Sequence, residues 1–306
     1  MLIRIANAPC SWGVDDPQNP FLPPWDKVLS EAAQAGYKSI ELGPWGFLPV
    51  ESEALTAALN KYQLSLVAGT IFDDLVSEEN AAKLFDLTHK ICQTLVSVPQ
   101  AEKVHGNNVP APYLVIIDFG DAERGRLAGQ SALAPRLPEE AWQRMVRHIR
   151  DISNIARQYG VRPVIHPHAG GYIEFIDELE KITAAIPHET AGLCLDTGHI
   201  YYSGSDPLTV LERYFSRIDY LHFKDVDPRH FRHAIDNNLD FFTACAEGVM
   251  CPLGQGAIDY PGVLALLKKC AYQGWITIEQ ERDPRHVETS LEDVTASLHY
   301  LRSVGF

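Results

Sequence analysis

The amino-acid sequence predicts an α/β fold, a single (β/α)8 TIM barrel that occupies residues 1–306. Three observations indicate it. Short apolar segments of β type alternate eight times with longer segments of helical period. The apolar segments are nearly continuous, as they are when a parallel sheet is covered on both faces. No change in composition indicates a linker, and eight units in 306 residues exceed the roughly six strands of an open doubly wound sheet.

The N-terminal half contains the first four units. Apolar, β-type runs predict strands at 2–8, 38–43, 64–72 and 113–120. Each is followed by a segment with apolar residues three or four positions apart, which predicts helices at 24–36, 51–63, 80–98 and 139–160. The stretch between the fourth strand and its helix, 120–138, is a long insertion.

The C-terminal half contains the other four units. Strands are predicted at 162–168, 190–198, 220–226 and 275–281, and helices at 175–186, 206–218, 259–274 and 290–304. Gly36, Gly160 and Gly274 each end a helical segment just before a strand, where glycine commonly terminates a helix. A second long insertion, 227–258, follows the seventh strand. Either insertion could form a lid, because long loops in compact domains are usually functional.

Composition excludes several classes of partner. With 26 Lys and Arg against 40 Asp and Glu, the net charge of −14 disfavours nucleic acid, and no basic run offsets it. We find no signal-peptide pattern and no apolar stretch of the ~18 residues that a membrane span needs, so we expect a cytoplasmic protein. The six cysteines lack CxxC spacing and are expected to be reduced, without a catalytic role. The sequence does not indicate an oligomeric state, although a homo-oligomer is compatible with it.

Polar and ionisable residues gather at the carboxyl ends of the predicted strands, where barrel active sites lie. They are Asn7, Glu41, His166, His168, Asp196, His199, His222, Lys224, Asp225, Glu279 and Glu281. Such groups are costly in buried strands unless they are paired or bound to a metal. The period-two alternation of a strand places His166 with His168 on one face, and likewise His222 with Lys224 and Glu279 with Glu281.

Four of these residues predict a metal site. Asp196, His222 and Glu279 end the sixth, seventh and eighth strands, and His166 would add a fourth ligand from the fifth. This mixed nitrogen and oxygen set suits Mn, Co, Zn or Mg. Taken singly, each has an ordinary explanation: Asp196 could cap the next turn, His222 could be a core histidine, and His166 could orient a ligand from outside. Their convergence on four consecutive strands favours the metal site.

Two further signals are weaker. Trp12, Trp45 and Phe72 follow the first three strands and could form the floor of a sugar site, although ordinary packing explains them equally well. The GQG at 254–256 lacks the context of a dinucleotide-binding fingerprint. We interpret it as a turn that could let the backbone approach a substrate.

Seven segments carry a family resemblance: ANAPCSWG, SIELG, VIHPHAGGYIE, LCLDTGHIY, YLHFKDV, PLGQGAIDY and GWITIEQERDP. They resemble the xylose isomerase-like barrel superfamily, which also includes relatives of the type 2 AP endonucleases, and within it the inosose (2-keto-myo-inositol) dehydratases. The resemblance covers essentially the whole chain and is strongest over 160–284. It implies a divalent ion held by the residues that match the family's ligands, His166, Asp196, His222 and Glu279.

The chain departs from the family pattern at one ligand. Sugar isomerases and epimerases of the superfamily have Glu where this chain has His166, and pair it with the strand-8 Glu for two-sided proton transfer. The imidazole makes an epimerase less favoured, and Glu174 nearby could substitute as a ligand or base. DNA repair is also disfavoured, because the additional metal-binding His and Asp residues of the endonucleases are not found here.

The resemblance therefore implies a metal-dependent lyase that removes water from a polyhydroxylated cyclic ketone such as inosose. The metal would stabilise an enolate. His168 and His199 are the acid and base candidates, in an order that the sequence does not give. Lys224 would stabilise an oxyanion or be oriented by Asp225 and Glu41.

The remaining expected roles concern the substrate. Asn7, Trp12, Glu41, Glu174 and Asp225 are the candidate substrate-binding residues, and Glu279 is counted both as a ligand and as a catalytic carboxylate. One alternative is a metal-dependent isomerase or epimerase of a keto-sugar or related polyol. Another is a sugar-binding barrel without catalysis.

Overall fold

The computed structural model describes residues 2–106 and 108–306, which form a nearly closed parallel barrel with helices around it. The strands are β1 Ile3–Asn7, β2 Ser39–Ile40, β3 Ser65–Leu66, β4 Ala68–Asp73, β5 Tyr113–Asp118, β6 Arg162–Ile165, β7 Gly192–Asp196, β8 Ile218–Phe223, β9 Asp225–Val226, β10 Met250–Cys251 and β11 Gly274–Ile278. The α-helices are α1 Trp25–Ala35, α2 Ser52–Tyr62, α3 Ala81–Ser97, α4 Ala122–Arg126, α5 Glu139–Gln158, α6 Ile176–Ala185, α7 Thr197–Tyr202, α8 Pro207–Tyr214, α9 Pro228–Asn237, α10 Phe241–Ala246, α11 Tyr260–Lys269 and α12 Ser290–Val304. The predicted barrel is confirmed.

The barrel closes because its two outermost strands are consecutive in the chain. The strand order is β3-β2-β1-β11-β8-β7-β6-β5-β4, and only Val67 separates β3 from β4. The Val67 N–H donates to the Ile40 carbonyl at 3.1 Å, while the Val67 carbonyl accepts from the Tyr113 N–H at 3.0 Å. Val67 therefore joins the two edges of the sheet, and the third predicted strand is one strand that bends here.

The register brings the predicted strand ends to one level. Asp196 of β7 lies beside His222 of β8, and Asn7 of β1 lies beside Ile278 of β11. Glu279 follows Ile278 directly, and its N–H donates to the Phe223 carbonyl at 3.0 Å. The carboxyl ends of β1, β11, β8 and β7, four neighbours in the sheet, thus lie side by side at the barrel mouth.

One predicted helix end is wrong. Gly36 does end α1 with a left-handed φ of 102°, and Gly160 follows α5 with a φ of 73°. Helix α11, however, ends at Lys269, and Gly274 is the first residue of β11. The chain turns instead at Ala271, a non-glycine residue with a φ of 55°, which the sequence does not mark as a turn.

Alternation along the strands separates two layers of core. Val115, Val164, Cys194 and Tyr220 belong to a cluster in the barrel interior, where the Tyr113 and Tyr220 rings stack with centroids 4.5 Å apart. Their neighbours in the strands belong to the larger core between barrel and helices. This cluster includes Tyr220, two residues before His222 on β8, so it packs in the barrel interior beneath the strand-end residues.

Both predicted insertions contain helices of their own. Segment 120–138 contains α4, whose buried Arg124 donates to the Glu178 carboxylate of α6 at 2.8 and 3.0 Å. Segment 227–258 contains α9, α10 and β10, which pairs antiparallel with β9. Within the described part of the chain, no helix is both long and apolar enough to cross a membrane.

Candidate metal centre and active site

Four buried side chains converge at the centre of the barrel mouth. His166, Asp196, His222 and Glu279 each offer one nitrogen or oxygen within 4.8 Å of the other three. His166 follows β6, Asp196 ends β7, His222 lies in β8 and Glu279 follows β11. Parallel strands bring these residues together because their carboxyl ends meet at one end of the barrel.

A carboxylate orients the imidazole of His222. Its Nε2 lies 2.9 Å from Glu41 Oε1, and the Tyr220 hydroxyl donates to the same oxygen at 2.6 Å. Because a carboxylate accepts, Nε2 donates its proton to Glu41, and Nδ1 is the ring nitrogen that faces the other three residues. That Nδ1 points toward Glu279 Oε2 at 3.0 Å and Asp196 Oδ2 at 4.0 Å. Glu41 therefore acts on the cluster through His222, the arrangement that commonly fixes a histidine ligand.

The residues of the cluster fit a divalent ion. Both ring nitrogens of His166 are buried and have no hydrogen-bond partner among the described residues, and Nδ1 of His222 makes no well-directed hydrogen bond although Glu279 lies 3.0 Å away. Buried polar atoms are normally paired, so these three nitrogens lack an expected partner. Two imidazoles and two carboxylates form a donor set that Zn, Mn or Co accepts. The side chains present could thus hold one ion at this point.

Lys224 connects the cluster to a second group of ionisable residues. Its Nζ contacts the Glu279 carboxylate and lies 2.8 Å from Asp196 Oδ2 and 3.1 Å from Glu281 Oε1. Burial disfavours the charged form of Lys224 and of its three carboxylate partners. Burial alone would raise the pKa of Asp196, but the ammonium of Lys224 beside it holds that pKa well below its usual range. Burial alone would lower the pKa of Lys224, but the three neighbouring carboxylates outweigh burial and raise that pKa.

His168, His199 and Glu281 form this second group, above the first. One ligand atom from each lies within 4.8 Å of the others, and the two imidazole rings are 4.0 Å apart. Burial lowers the pKa of His168 to about 3 and that of His199 well below its usual value. Both rings are therefore neutral at physiological pH.

Aromatic rings enclose the two upper histidines. Phe72 of β4 lies 5.1 Å from the His168 ring, and Phe241 of α10 lies 5.0 Å from His168 and 4.9 Å from His199. Phe119 and Phe242 contact Phe72 and remain 44% and 41% exposed. The mouth of the barrel thus has a half-exposed aromatic wall on the side of the second insertion.

Two of the predicted substrate-binding residues, Glu174 and Trp12, have their polar groups bound within the protein. The Glu174 carboxylate accepts from the Gly129 and Gly170 N–H groups at 2.6 and 2.9 Å, and Arg124 lies 3.4 Å away. The buried Trp12 indole donates to Glu31 at 2.6 Å. Each is already satisfied within the fold.

Asp225 organises the GQG turn. Its carboxylate accepts from the N–H groups of Gly254, Gly256 and Ile258 at 2.8, 3.0 and 3.0 Å. A Cβ on Gly256 would lie 2.2 Å from this carboxylate, so only glycine fits there. The turn was predicted, but its donors bind Asp225 rather than facing the mouth.

Asn7 ends β1, and its neighbour Ala6 belongs to the cluster in the barrel interior. The Asn7 Oδ1 accepts from the Ala8 N–H at 2.9 Å, and the Asn7 Nδ2 is buried without a partner among the described residues. Glu281 was predicted as a strand-end carboxylate on the Glu279 face, whereas Tyr220 was not among the predicted residues, although alternation puts it on the His222 face. The sequence had no signal for Phe241 and Phe242, which lie inside an insertion.

Comparison with known proteins gives a family match and full-length relatives. The model of the xylose isomerase-like TIM barrel family matches residues 29–304. The rhizopine catabolism protein MocC of Rhizobium meliloti is 32% identical over 93% of this chain and 83% of its own. The inosose dehydratase of Geobacillus kaustophilus is 31% identical over 92% of this chain and 88% of its own.

A solved structure supports the fold. The IOLI protein, in a crystal structure with a bound zinc atom, superposes with a TM-score of 0.70 at 17% identity, covering 98% of this chain and 97% of that one. The architecture is therefore shared although few residues are.

Proposed function

The chain belongs to the xylose isomerase-like TIM barrel family, and on that premise we propose that it is a divalent-metal-dependent dehydratase of a polyhydroxylated cyclic ketone such as inosose. The observation that carries the proposal is the convergence of His166, Asp196, His222 and Glu279 within 4.8 Å at the barrel mouth. The relative named inosose dehydratase supports the choice of substrate. We propose that residues 1–306 act as one domain in the cytoplasm.

The four converging side chains would bind the metal ion. Glu41 orients His222 by accepting from its Nε2, so that Nδ1 faces the ion. When bound, a divalent ion supplies Lewis-acid polarisation of a carbonyl oxygen. Mn, Co, Zn and Mg all remain candidates, because the donor set does not distinguish them.

The remaining groups supply binding and proton transfer. Loss of water from a ketone requires removal of the proton next to the carbonyl and departure of the neighbouring hydroxyl with a proton. His168 and His199 are the imidazoles in reach of this chemistry, since they lie beside the cluster in the same mouth. The ammonium of Lys224 is placed to stabilise a developing oxyanion.

We assign the substrate-binding role among the predicted residues chiefly to Asn7, whose Nδ2 lacks a partner among the described residues. Asp225, Glu174 and Trp12 would act by shaping the surrounding loops. The aromatic wall would cover the apolar C–H face of a ring-shaped substrate.

Elemental analysis and product mass test this function together. In the wild-type protein we expect about one divalent ion per chain and a product of inosose that is lighter by one water. Asp196→Asn should lose both ion and turnover, whereas Asp151→Asn, on an exposed helix face, should keep both. A metal-free Asp196→Asn protein with full turnover would refute the metal site.

The product mass separates this proposal from its alternatives. An isomerase or epimerase would give a product of unchanged mass, and a sugar-binding protein would give none while still retaining inosose. The imidazole of His166 disfavours the isomerase, because the second carboxylate of a two-sided proton transfer is absent at that position.

A further inference from the structure

The backbone of Ala169 contacts both upper histidines. Its N–H donates to Nδ1 of His199 at 3.0 Å, and its carbonyl oxygen lies 2.8 Å from Nδ1 of His168. A backbone N–H can only donate and a carbonyl can only accept. Nδ1 of His199 is therefore bare and its proton sits on Nε2, while His168 carries its proton on Nδ1 and leaves Nε2 bare.

Packing keeps the rings in these orientations. The two imidazoles lie 4.0 Å apart at an interplanar angle of 37°, and Phe241 lies against both. His168 is 7% exposed and His199 is 2% exposed, so both rings are largely shielded from water. A flipped His199 ring would place a carbon against the Ala169 N–H and leave that buried donor unpaired.

We propose that Ala169 fixes His168 and His199 in opposite tautomers, so that His168 offers the substrate a bare Nε2 and His199 offers an Nε2–H. The consequence for catalysis rests on the proposed function. His168 is the group that can accept a proton, and His199 is a neutral hydrogen-bond donor to a substrate oxygen. The acid and base order, open at the level of sequence, is thereby assigned.

The proton balance closes on one histidine. The C–H bond next to the ketone breaks, its proton binds Nε2 of His168, and its electron pair forms the enolate double bond. The enolate oxygen then re-forms the carbonyl, and the electron pair of the enolate double bond forms a new double bond to the carbon that bears the neighbouring hydroxyl. The C–O bond of that hydroxyl breaks, the oxygen keeps the bonding pair and receives the proton from His168, and water departs. His168 returns to its neutral form, and His199 neither gains nor loses a proton.

The same assignment excludes a second metal ion in the upper group. His168, His199 and Glu281 lie within 4.8 Å of one another, which by spacing alone could suggest one. A ligating nitrogen needs a free lone pair, but Nε2 of His199 carries hydrogen because Nδ1 already accepts from Ala169. That Nε2 is buried without a partner among the described residues, as a donor reserved for a ligand would be.

Nitrogen-15 NMR on the substrate-free protein tests the tautomers directly. Two-bond correlations of 15N-histidine protein distinguish protonated from bare ring nitrogens, and signals are assigned by their loss in His168→Gln and His199→Gln. We expect a protonated Nδ1 for His168 and a protonated Nε2 for His199. Identical tautomers, or a bare Nε2 on His199, would overturn the proposal whether or not inosose is the substrate.

Kinetics with inosose test the division of roles. Glutamine can still donate a hydrogen bond but cannot take up a proton. We therefore expect His168→Gln to lose on the order of 10²–10⁴ in kcat. His199→Gln should lose about tenfold, and His199→Phe, which cannot donate, substantially more. The reverse ranking would overturn the assigned roles while leaving the dehydratase proposal in place. A wild-type protein without turnover would instead count against the proposed function.

Metal stoichiometry gives a third readout. We expect zinc titration to saturate at one ion per chain in the wild type and in His199→Gln. Two ions per chain, with one lost in His199→Gln, would overturn the assignment of a protonated Nε2.

Discussion

Nε2 of His222 donates to Oε1 of Glu41 across 2.9 Å, a contact between residues 181 positions apart. It fixes which nitrogen of His222 faces the other ligands. Removing a residue that hydrogen-bonds a metal-binding histidine typically weakens metal affinity by about 10- to 100-fold. We therefore expect Glu41→Ala to weaken zinc binding by about that factor, measured by competition with a chromophoric chelator.

Tyr220→Phe is the matched control, because it removes a second hydrogen bond to Glu41 and leaves the carboxylate in place. It should weaken zinc binding less than Glu41→Ala does. Unchanged affinity in Glu41→Ala would show that His222 is not oriented through this contact.

Lys224 competes with a cation for the same carboxylates. Its Nζ lies 2.8 Å from Asp196, and a positive charge about 4 Å from a second one costs roughly 4 kcal/mol at an effective dielectric constant of 20. Lys224→Met should therefore bind zinc at least about tenfold more tightly while losing turnover. Lys224→Arg keeps the charge and should not gain affinity. Weaker zinc binding in Lys224→Met would mean that the lysine assembles the ligands instead.

The opposite end of the barrel has a buried ion pair that sets acid stability. Asp219 accepts from Arg162 at 2.7 Å and contacts His188 at 3.1 Å. Burial alone would raise the pKa of Asp219, but His188 and Arg162 lower it below the ordinary 3.8. Since the folded-state pKa is depressed, the stabilisation is complete above the ordinary value and is lost as the pH falls through the lower one.

Asp219→Asn should therefore destabilise the protein at neutral pH by about 3–5 kcal/mol, because it leaves Arg162 buried without its partner. Urea unfolding at several pH values would show the wild-type and variant curves converging in acid. Asp26→Asn removes the exposed ion pair with Lys61 and should change little. A constant gap down to strongly acid pH would contradict the linkage.

Phe242 tests the aromatic wall. Its ring lies 6.0 Å from Phe72 and 6.3 Å from His168, and it is 41% exposed. Phe242→Ala would remove one aromatic contact to the substrate ring, and we therefore expect it to raise the KM for inosose by about tenfold and to leave zinc affinity unchanged. Steady-state kinetics of Phe242→Ala check this, with Val96→Ala, an exposed apolar residue of α3, as the control. An unchanged KM would place the substrate away from α10.

Much of the candidate site could be predicted because strand ends are a local property. The residue that ends an apolar run is readable from the sequence, and a parallel barrel brings all such ends to one rim. Asp196, His222 and Glu279 were found in this way. Glu174 and Trp12 were chosen by proximity in sequence, but their partners, Gly129 and Glu31, come from other parts of the chain.

The sequence by itself determined the barrel, its eight units and the residues that end its strands, because alternation and helical period are encoded in neighbouring positions. Tertiary structure decided which ring nitrogen of His168 and of His199 carries the proton. Whether the bare nitrogen of His168 or His199 faces the mouth depends on two hydrogen bonds to the backbone of Ala169, 2.8 and 3.0 Å long. Such directions are fixed only when α7 packs against the loop after β6, which no local pattern records.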